Sequence, residues 1–493
     1  MIIKKMIDRP FLIHILLILS GLVFYSPKIF AQDTLKITLQ AAVDSAMNNN
    51  RLLLRYKEAV YEKEYLKKAS MGNFFPSVDV LGGYTYFSKN PEINMGTVKE
   101  SLDDMFGKYG SYIAGELGLS DEAQEVIYNK IVEKLGSLPV YNVVIDQQSY
   151  PNLNVVAKQP LFLGGKIVAG RKFAMAEYDY ATAEYQKVSN EVTKETIERY
   201  YGVVLLQNVV KVREQVVEGM RKHEQEAERA IEIGVIPSHE LLRAKVAVAN
   251  AERDLIDDNN KLQLAFSALK ASMGLPEETH LIVQDSLVFK MVPVEISGLK
   301  SQAFSRQPIF KMIEQKKLMV QQKHTLEASE FMPQIAAWGQ YNAFSTHYPV
   351  TLPPFMFGIE AKINIFNGLK KYHKLQSTKN LYRQVEWADQ YAHQQIGLLV
   401  EKTWKEVINK RERYLKMEPT VELARKNLEI NEKRFREGLG KSVDVIDARL
   451  LYEGAEVERL KSLYDYYKAL ADLYMATGNT QKAVELLSIQ KTQ

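Results

Sequence analysis

Two periodicities share this chain. Between residues 240 and 273 apolar side chains recur every seventh position, with Leu241, Val248, Leu255, Leu262 and Leu269 in one row. A second row, Ala244, Ala251, Asp258, Ala265 and Ser272, runs beside it. Such rows keep one helix face turned toward a partner, and small residues in the second row admit a close backbone approach. Residues 444–477 carry the same pair of rows, Val445, Tyr452, Arg459, Tyr466 and Leu473 beside Ala448, Ala455, Ser462, Ala469 and Ala476. Elsewhere the period is two. In 76–89, Val78, Val80, Tyr84 and Tyr86 share a face opposite Asp79 and Thr85; in 354–366, Phe355, Phe357, Ile359, Ala361, Ile363 and Ile365 oppose Lys362 and Asn364. With 150–162 and 332–346 these stretches predict four strands, each long enough to cross a membrane at a tilt. Aromatic residues gather near their ends, as at membrane interfaces: Tyr84, Tyr86, Phe87, Phe162, Tyr341, Phe344 and Phe366.

The pattern is duplicated. Residues 231–252 align without gaps on 435–456, pairing Gly234 with Gly438, Ser238 with Ser442, Glu240 with Asp444 and Ala251 with Ala455, each 204 apart. Gly274 and Gly478 keep that offset; Gly165 and Gly368 lie 203 apart, and Pro76 and Pro333 lie 257 apart. Each copy predicts a helix (39–72; 299–330), two strands, a very long helix (168–233; 371–436), a glycine turn and a returning helix (240–273; 444–477). A 66-residue helix would extend about 100 Å and needs partners along its length. The first copy occupies 32–274 and the second 307–478, with 275–306 linking them and 479–493 as a tail. Its proline and glycine lie 89 positions apart in the first copy against 35 in the second, an excess placed within 88–148. That insertion predicts a helix over SDEAQEVIYNKIVEKLG with Ser120 as N-cap. It is expected to form an extracellular cap, and 275–306 to pack with the tail as a collar.

Composition sharpens this picture. The chain of 493 residues begins with a basic stretch, an apolar run, FLIHILLILSGLVFY, and a small residue at Ala31, the form of an export signal over 1–31. The leader holds Lys4, Lys5, Arg9 and Lys28 against Asp8, so most of the chain's net +4 belongs to it, and nothing in the remainder argues for nucleic acid. Cysteine is absent, which suits an oxidising compartment and excludes disulfides, thiolate-bound zinc and a lipidated cysteine.

Enzyme chemistry finds little footing. Gly438-Leu439-Gly440-Lys441-Ser442 imitates the end of a phosphate-binding loop, but the first glycine of that motif would fall at Phe435, and the preceding run favours a helix over a buried strand. The eight histidines show no metal-ligand spacing, no GxSxG elbow occurs, and His347 reads as a solvated loop residue between the last two strands. No cofactor and no metal are expected. The strands are more telling, because edges cannot stay open in lipid and four strands are too few to close a barrel. If they span a membrane, several copies must share one barrel.

The opening LQAAVDSAMNNN and the turn EGLGKSVDVIDARLLYEGA, together with the duplicated hairpins and strand pairs, resemble TolC-family outer membrane efflux proteins across nearly all of the mature chain. The resemblance implies a mainly α protein with a membrane β-barrel part, a homotrimer whose chains each give four strands to a 12-stranded barrel standing on an α-helical barrel in the periplasm. It implies a channel for efflux or type I secretion, with outer membrane lipid, a periplasmic adaptor and an inner-membrane pump as partners. By position, Asp444 and Asp447 match the aspartates that narrow the periplasmic end, and Glu240 matches an acidic latch residue. Phe435 stands where the best-known members carry a latch tyrosine and Gly440 where they carry an arginine, for which Lys441 is the adjacent substitute. Gly234, Val235, Gly438 and Leu439 match the adaptor-contacting tips. Independently, Asp444 and Asp447 lie three apart on one helix face, so copies around an axis would stack two carboxylate rings. The glycines allow the sharp turn, and Ser442 and Ser238 are expected to cap the returning helices. The competing expectation is an exported coiled-coil scaffold that forms no channel, separable by whether extraction requires detergent.

Overall fold

A computed structural model describes residues 35–90, 92–140, 143–146, 148–344 and 353–488. The export signal, His347 and the end of the tail lie outside them. The chain forms two compact units, one from the described parts of Met1–Tyr65, Met175–Val320 and Asn380–Gln493, the other from Leu66–Ala174 and Gln321–Lys379.

The second unit is built on β2 (Ser77–Tyr86), β5 (Ser149–Phe162), β7 (Gln334–Asn342) and β8 (Phe355–Lys362), an antiparallel sheet in the order β2-β5-β7-β8. Its register aligns one alternation across all four strands. Val80 lies opposite Val155, Val155 opposite Tyr341, and Tyr341 opposite Phe355. The next row runs from Val78 through Ala157 and Gly339 to Phe357. Since side chains alternate across a strand, these residues share one face with Tyr84, Tyr86, Leu153, Ala337 and Ile359, and that face is apolar except for Ser149 and Gln159. The other is mixed: it carries Asp79, Asn152, Asn154, Gln334, Gln340 and Asn342, with Lys158 ion-paired to Glu360 across it, beside Leu81, Val156, Trp338 and Met356. Among the described residues β2 and β8 are edges with no further strand beside them.

Between β2 and β5 the chain makes a short ladder, β3 (Glu92–Ile93) with β4 (Val143–Val144), and two helices, α3 (Gly96–Glu116) and α4 (Asp121–Gly136). One helix was expected here and two are present. α3 carries four glycines at its ends and within it, which mask a helical pattern in the sequence. Ser120 caps α4 as anticipated, accepting from the Ala123 N–H.

The first unit is helical. Most of the two long helices belongs to it, α5 (Lys166–Glu232) from Met175 and α9 (Lys370–Arg436) from Asn380, each helix 67 residues long; α6 (Ser238–Met273) and α10 (Ser442–Ala476) return from the turns. The small-residue rows are the seams: Ala448, Ala455, Ser462, Ala469 and Ala476 are all buried. The opening helix of each copy is not continuous as expected but breaks, into α1 (Leu39–Asn49) and α2 (Arg51–Gly72), and into α7 (Leu299–Arg306) and α8 (Pro308–Ser329). Gln307 precedes a proline, which drives it to extended backbone. Asn50 has no proline after it; its side-chain oxygen instead accepts from the N–H groups of Leu52 and Leu53 and starts a new helix.

These breaks obey the internal repeat. Asn50 donates to the Ser272 carbonyl, and Gln307, 257 residues later, donates to the Ala476 carbonyl, 204 after Ser272. Behind each sits a glycine with positive φ, Gly274 at 68° and Gly478 at 71°, pressed so closely on the break that a Cβ would overlap the Asn49 carbonyl in one copy and lie 2.8 Å from the Arg306 carbonyl carbon in the other. Around these elbows lies the largest core. Tyr200 donates to the Ile37 carbonyl and to Asp285, Tyr201 to the Leu487 carbonyl, and Tyr467 to the Val288 carbonyl. The tyrosines thereby tie the segment linking the copies, and α11 (Thr480–Ser488), to α5 and α10. β1 (Leu35–Ile37) and β6 (Leu281–Val283) pair in parallel beside them.

Candidate functional site at the hairpin turns

Both long hairpins turn by the same device. Gly234 and Gly438 have φ of 73°, and the N–H groups that follow close the helix ends, Val235 to the Ala230 carbonyl and Leu439 to the Arg434 carbonyl. This is a left-handed helix stop that glycine adopts without strain. The turns meet within the unit, because a Cβ on Gly438 would lie 3.5 Å from Val235 Cγ1. Ile233, Val235 and Leu439 are strongly exposed around them.

The returning helices start at Ser238 and Ser442, two residues before the expected 240 and 444. Pro237 and Lys441 occupy the N-cap positions, so Ser238 and Ser442 are the first helical residues and cap nothing. Ser442 is instead fully buried, with its hydroxyl 2.7 Å from His223 Nε2 on α5. The His223 ring meets the Phe435 ring edge-on at 4.6 Å. Phe435 packs with Ala227, Ala244 and Val445, one residue from each of the four hairpin helices. Burial first, and the Arg449 guanidinium second, press the His223 imidazole down to about 4. Sequence reasoning passed over His223, whose counterpart is Asn427 and which leaves no repeat signal.

The acids at the third helical position differ between copies. Asp444 is exposed, and its carboxylate accepts from the Lys441 N–H at 3.1 Å, the return half of a capping box. Asp447 is also exposed and shares its helix face. Glu240 is buried, 6% exposed, with His239 Nε2 at 3.4 Å and Arg243 Nη1 at 3.8 Å from one oxygen, and no hydrogen-bond partner among the described residues for the other. Its N-cap is Pro237, which has no N–H to give. Lys441 is exposed. Above the turns, Lys245 pairs with Glu228, and Arg449 pairs with Glu432; both members of the second pair stand 204 residues after those of the first. The repeat register would have found this cross-helix pair had charges been aligned as the glycines were. Arg213 joins Asp258 and Glu453, linking α5 to both returning helices. Among the described residues no group of acids and histidines is placed to hold a metal, and no helix is long and apolar enough to cross a membrane.

Comparison with known proteins bears on the fold. A search of curated proteins finds no match. Among solved structures the chain resembles the outer-membrane channel OprN, at 15% identity over 90% of each chain with a TM-score of 0.70. It also resembles the CmeC outer membrane channel of Campylobacter jejuni, at 13% identity over 92% of this chain and 89% of that one, TM-score 0.70. The MtrE outer membrane channel of Neisseria gonorrhoeae, in its open state, matches at 16% identity over 90% and 89%, TM-score 0.67. At these identities the likeness is one of fold. The family model described as outer membrane efflux protein matches residues 143–275 and 299–479, well over half of the sequence, and the chain belongs to that family.

Proposed function

We propose that three copies of this outer-membrane efflux protein share one 12-stranded barrel and give a passive conduit from periplasm to exterior, as the channel of a tripartite efflux or type I secretion system. One observation carries the reading. The four-stranded sheet has one face that is apolar but for Ser149 and Gln159, gathers its charged residues on the other, and is open at β2 and β8. Four strands cannot enclose a lumen, and lipid tolerates no unpaired edge, so β2 of one copy pairs with β8 of the next. The apolar face then meets lipid and the face of Asp79, Gln340 and the Lys158–Glu360 pair lines water.

At the hairpin turns Asp444 and Asp447 face the axis as the constriction. Glu240, buried with one oxygen unpartnered, is completed by a donor from the neighbouring copy and latches the resting channel. Lys441 is the exposed cation beside it. Phe435, held in the four-helix node without a hydroxyl, supports the latch by fixing the turn and does not hydrogen-bond across it. The exposed Val235 and Leu439, presented by Gly234 and Gly438, dock a periplasmic adaptor that connects to an inner-membrane pump. No catalytic step, cofactor or nucleic acid enters this function.

The test is conductance. Detergent-purified protein should migrate as an oligomer when unheated and form discrete channels in planar bilayers. Replacing both aspartates, Asp444→Asn with Asp447→Asn, should raise single-channel conductance and weaken block by divalent cations. A compact lone subunit, soluble without detergent, would overturn the channel; unchanged conductance and block in the double variant would overturn the gate alone.

A further inference from the structure

The insertion between β2 and β5 carries a surface that its own fold leaves uncovered. α3 packs on α4 through Gly107, Gly110 and Ala114; a Cβ on Gly107 would lie 2.7 Å from Val132, and one on Gly110 would overlap Ile131. Asp104 accepts from the Tyr128 hydroxyl at 2.7 Å and locks the same contact. The opposite face of α3 bears Leu102, Met105, Phe106, Tyr109, Tyr112 and Ile113, each more than 40% exposed and spaced as one helical stripe. Contiguous apolar surface of this kind on a helix marks a docking face.

We infer that the occupant is a second copy: the α3 stripes of the subunits sharing a barrel converge on the pore axis and roof its outer mouth. This rests on the shared barrel proposed above. Three observations select that occupant. The insertion is rooted at the end of β2, the edge strand that a neighbouring copy must complete, so it leaves the sheet at the seam between subunits. A 12-strand barrel is roughly 25 Å across, and a 21-residue helix spans about 30 Å, more than the distance from wall to axis. Finally, Gly96 to Gly136 holds eight acidic against four basic side chains, which disfavours laying the stripe on an anionic lipid surface. Tyrosine suits a contact that is apolar at its centre and wet at its rim.

The absence of cysteine makes the chain its own blank. In the full-length, detergent-purified protein, Tyr109→Cys or Phe106→Cys treated with a short bis-maleimide should yield covalent dimers in most of the oligomer, while Val126→Cys on the outer side of α4 should yield none. Replacing Met105, Phe106, Tyr109 and Tyr112 with Ser should raise single-channel conductance with the oligomer intact. An intact oligomer without cross-links at either position overturns the roof. So does cross-linking at Val126→Cys in their place, or quenching of a bimane on Tyr109→Cys by brominated phospholipid, which would put the stripe in lipid. A particle that is not oligomeric on the unheated gel instead defeats the shared barrel itself, and the roof with it.

Discussion

The two copies of the repeat match at their elbows and part company at their tips. At the elbows, an amide side chain at the helix break donates to the last turn of the returning helix, Asn50 to Ser272 and Gln307 to Ala476, with a positive-φ glycine wedged behind. Sequence can vary there, Asn against Gln and no proline against Pro308, while the hydrogen bond and the close approach persist. At the tips the glycine turn persists, but its polar groups are redistributed. Pro237 leaves Glu240 a buried oxygen without a partner, whereas Lys441 gives its N–H to Asp444. Ser238 is exposed; Ser442 is buried on His223. A duplicated fold keeps what bends the chain and diverges in the polar contacts of its tips.

The largest test of the elbow equivalence is Gly274→Ala set beside Gly478→Ala. Each demands a left-handed backbone, about 1–2 kcal/mol for a residue with Cβ, and each adds a clash with backbone that cannot move aside. A loss of about 3 kcal/mol or more is expected at both, larger at Gly274, where the overlap with the Asn49 carbonyl is worse. Thermal melting in detergent and the yield of assembled oligomer read it. If Gly274→Ala melts like the parent, the two elbows share a sequence pattern but not a mechanical role.

Next in size is the acid sensitivity of the tip. His223 faces Ser442, Phe435 and Arg449. Its folded value near 4 lies below the unfolded value near 6.5, so the unfolded chain takes up the proton first. Stability is therefore whole above about pH 6.5 and falls as pH drops toward 4, by up to about 3 kcal/mol. His223→Asn, which installs the residue of the other copy, should flatten that acid limb, with a cost near 1 kcal/mol at neutral pH from the altered Ser442 contact. Identical acid limbs in parent and variant would assign the sensitivity to other groups.

Much of this architecture was legible because long-range order repeats in the sequence. The 204-residue register placed both long hairpins within two or three residues, and period-two alternation found all four strands. What escaped was set by contacts with no periodic trace. The break at Asn50 depends on a side chain reaching the Ser272 carbonyl, 222 residues away. The second insertion helix is hidden by glycines that serve its packing on α4. The serines looked like caps because Ser-x-Asp and Ser-x-Glu imitate a helix start, yet the helix begins one residue sooner and uses the Ser442 hydroxyl for His223. That the four strands present one shared, mainly apolar face needed the register, which no single strand reveals.

The smallest effect on stability gives the finest test of the tips. Pro237→Ala restores the N–H that Glu240 lacks, worth about 1 kcal/mol, but frees the unfolded chain by about 0.4–1 kcal/mol, so melting should barely change. Lys441→Pro runs the exchange backwards: it removes the donor to Asp444, stiffens the unfolded chain, and must pull φ from −95° toward about −65°. With stability nearly cancelled in both, conductance isolates where the carboxylate goes. If the unpartnered Glu240 oxygen latches a neighbouring copy, satisfying it internally with Pro237→Ala weakens that latch and raises resting conductance, in the same direction as Glu240→Gln. Should Glu240→Gln open the channel while Pro237→Ala leaves it closed, the orphaned oxygen is not the latching atom, and the oxygen near His239 and Arg243 carries the contact.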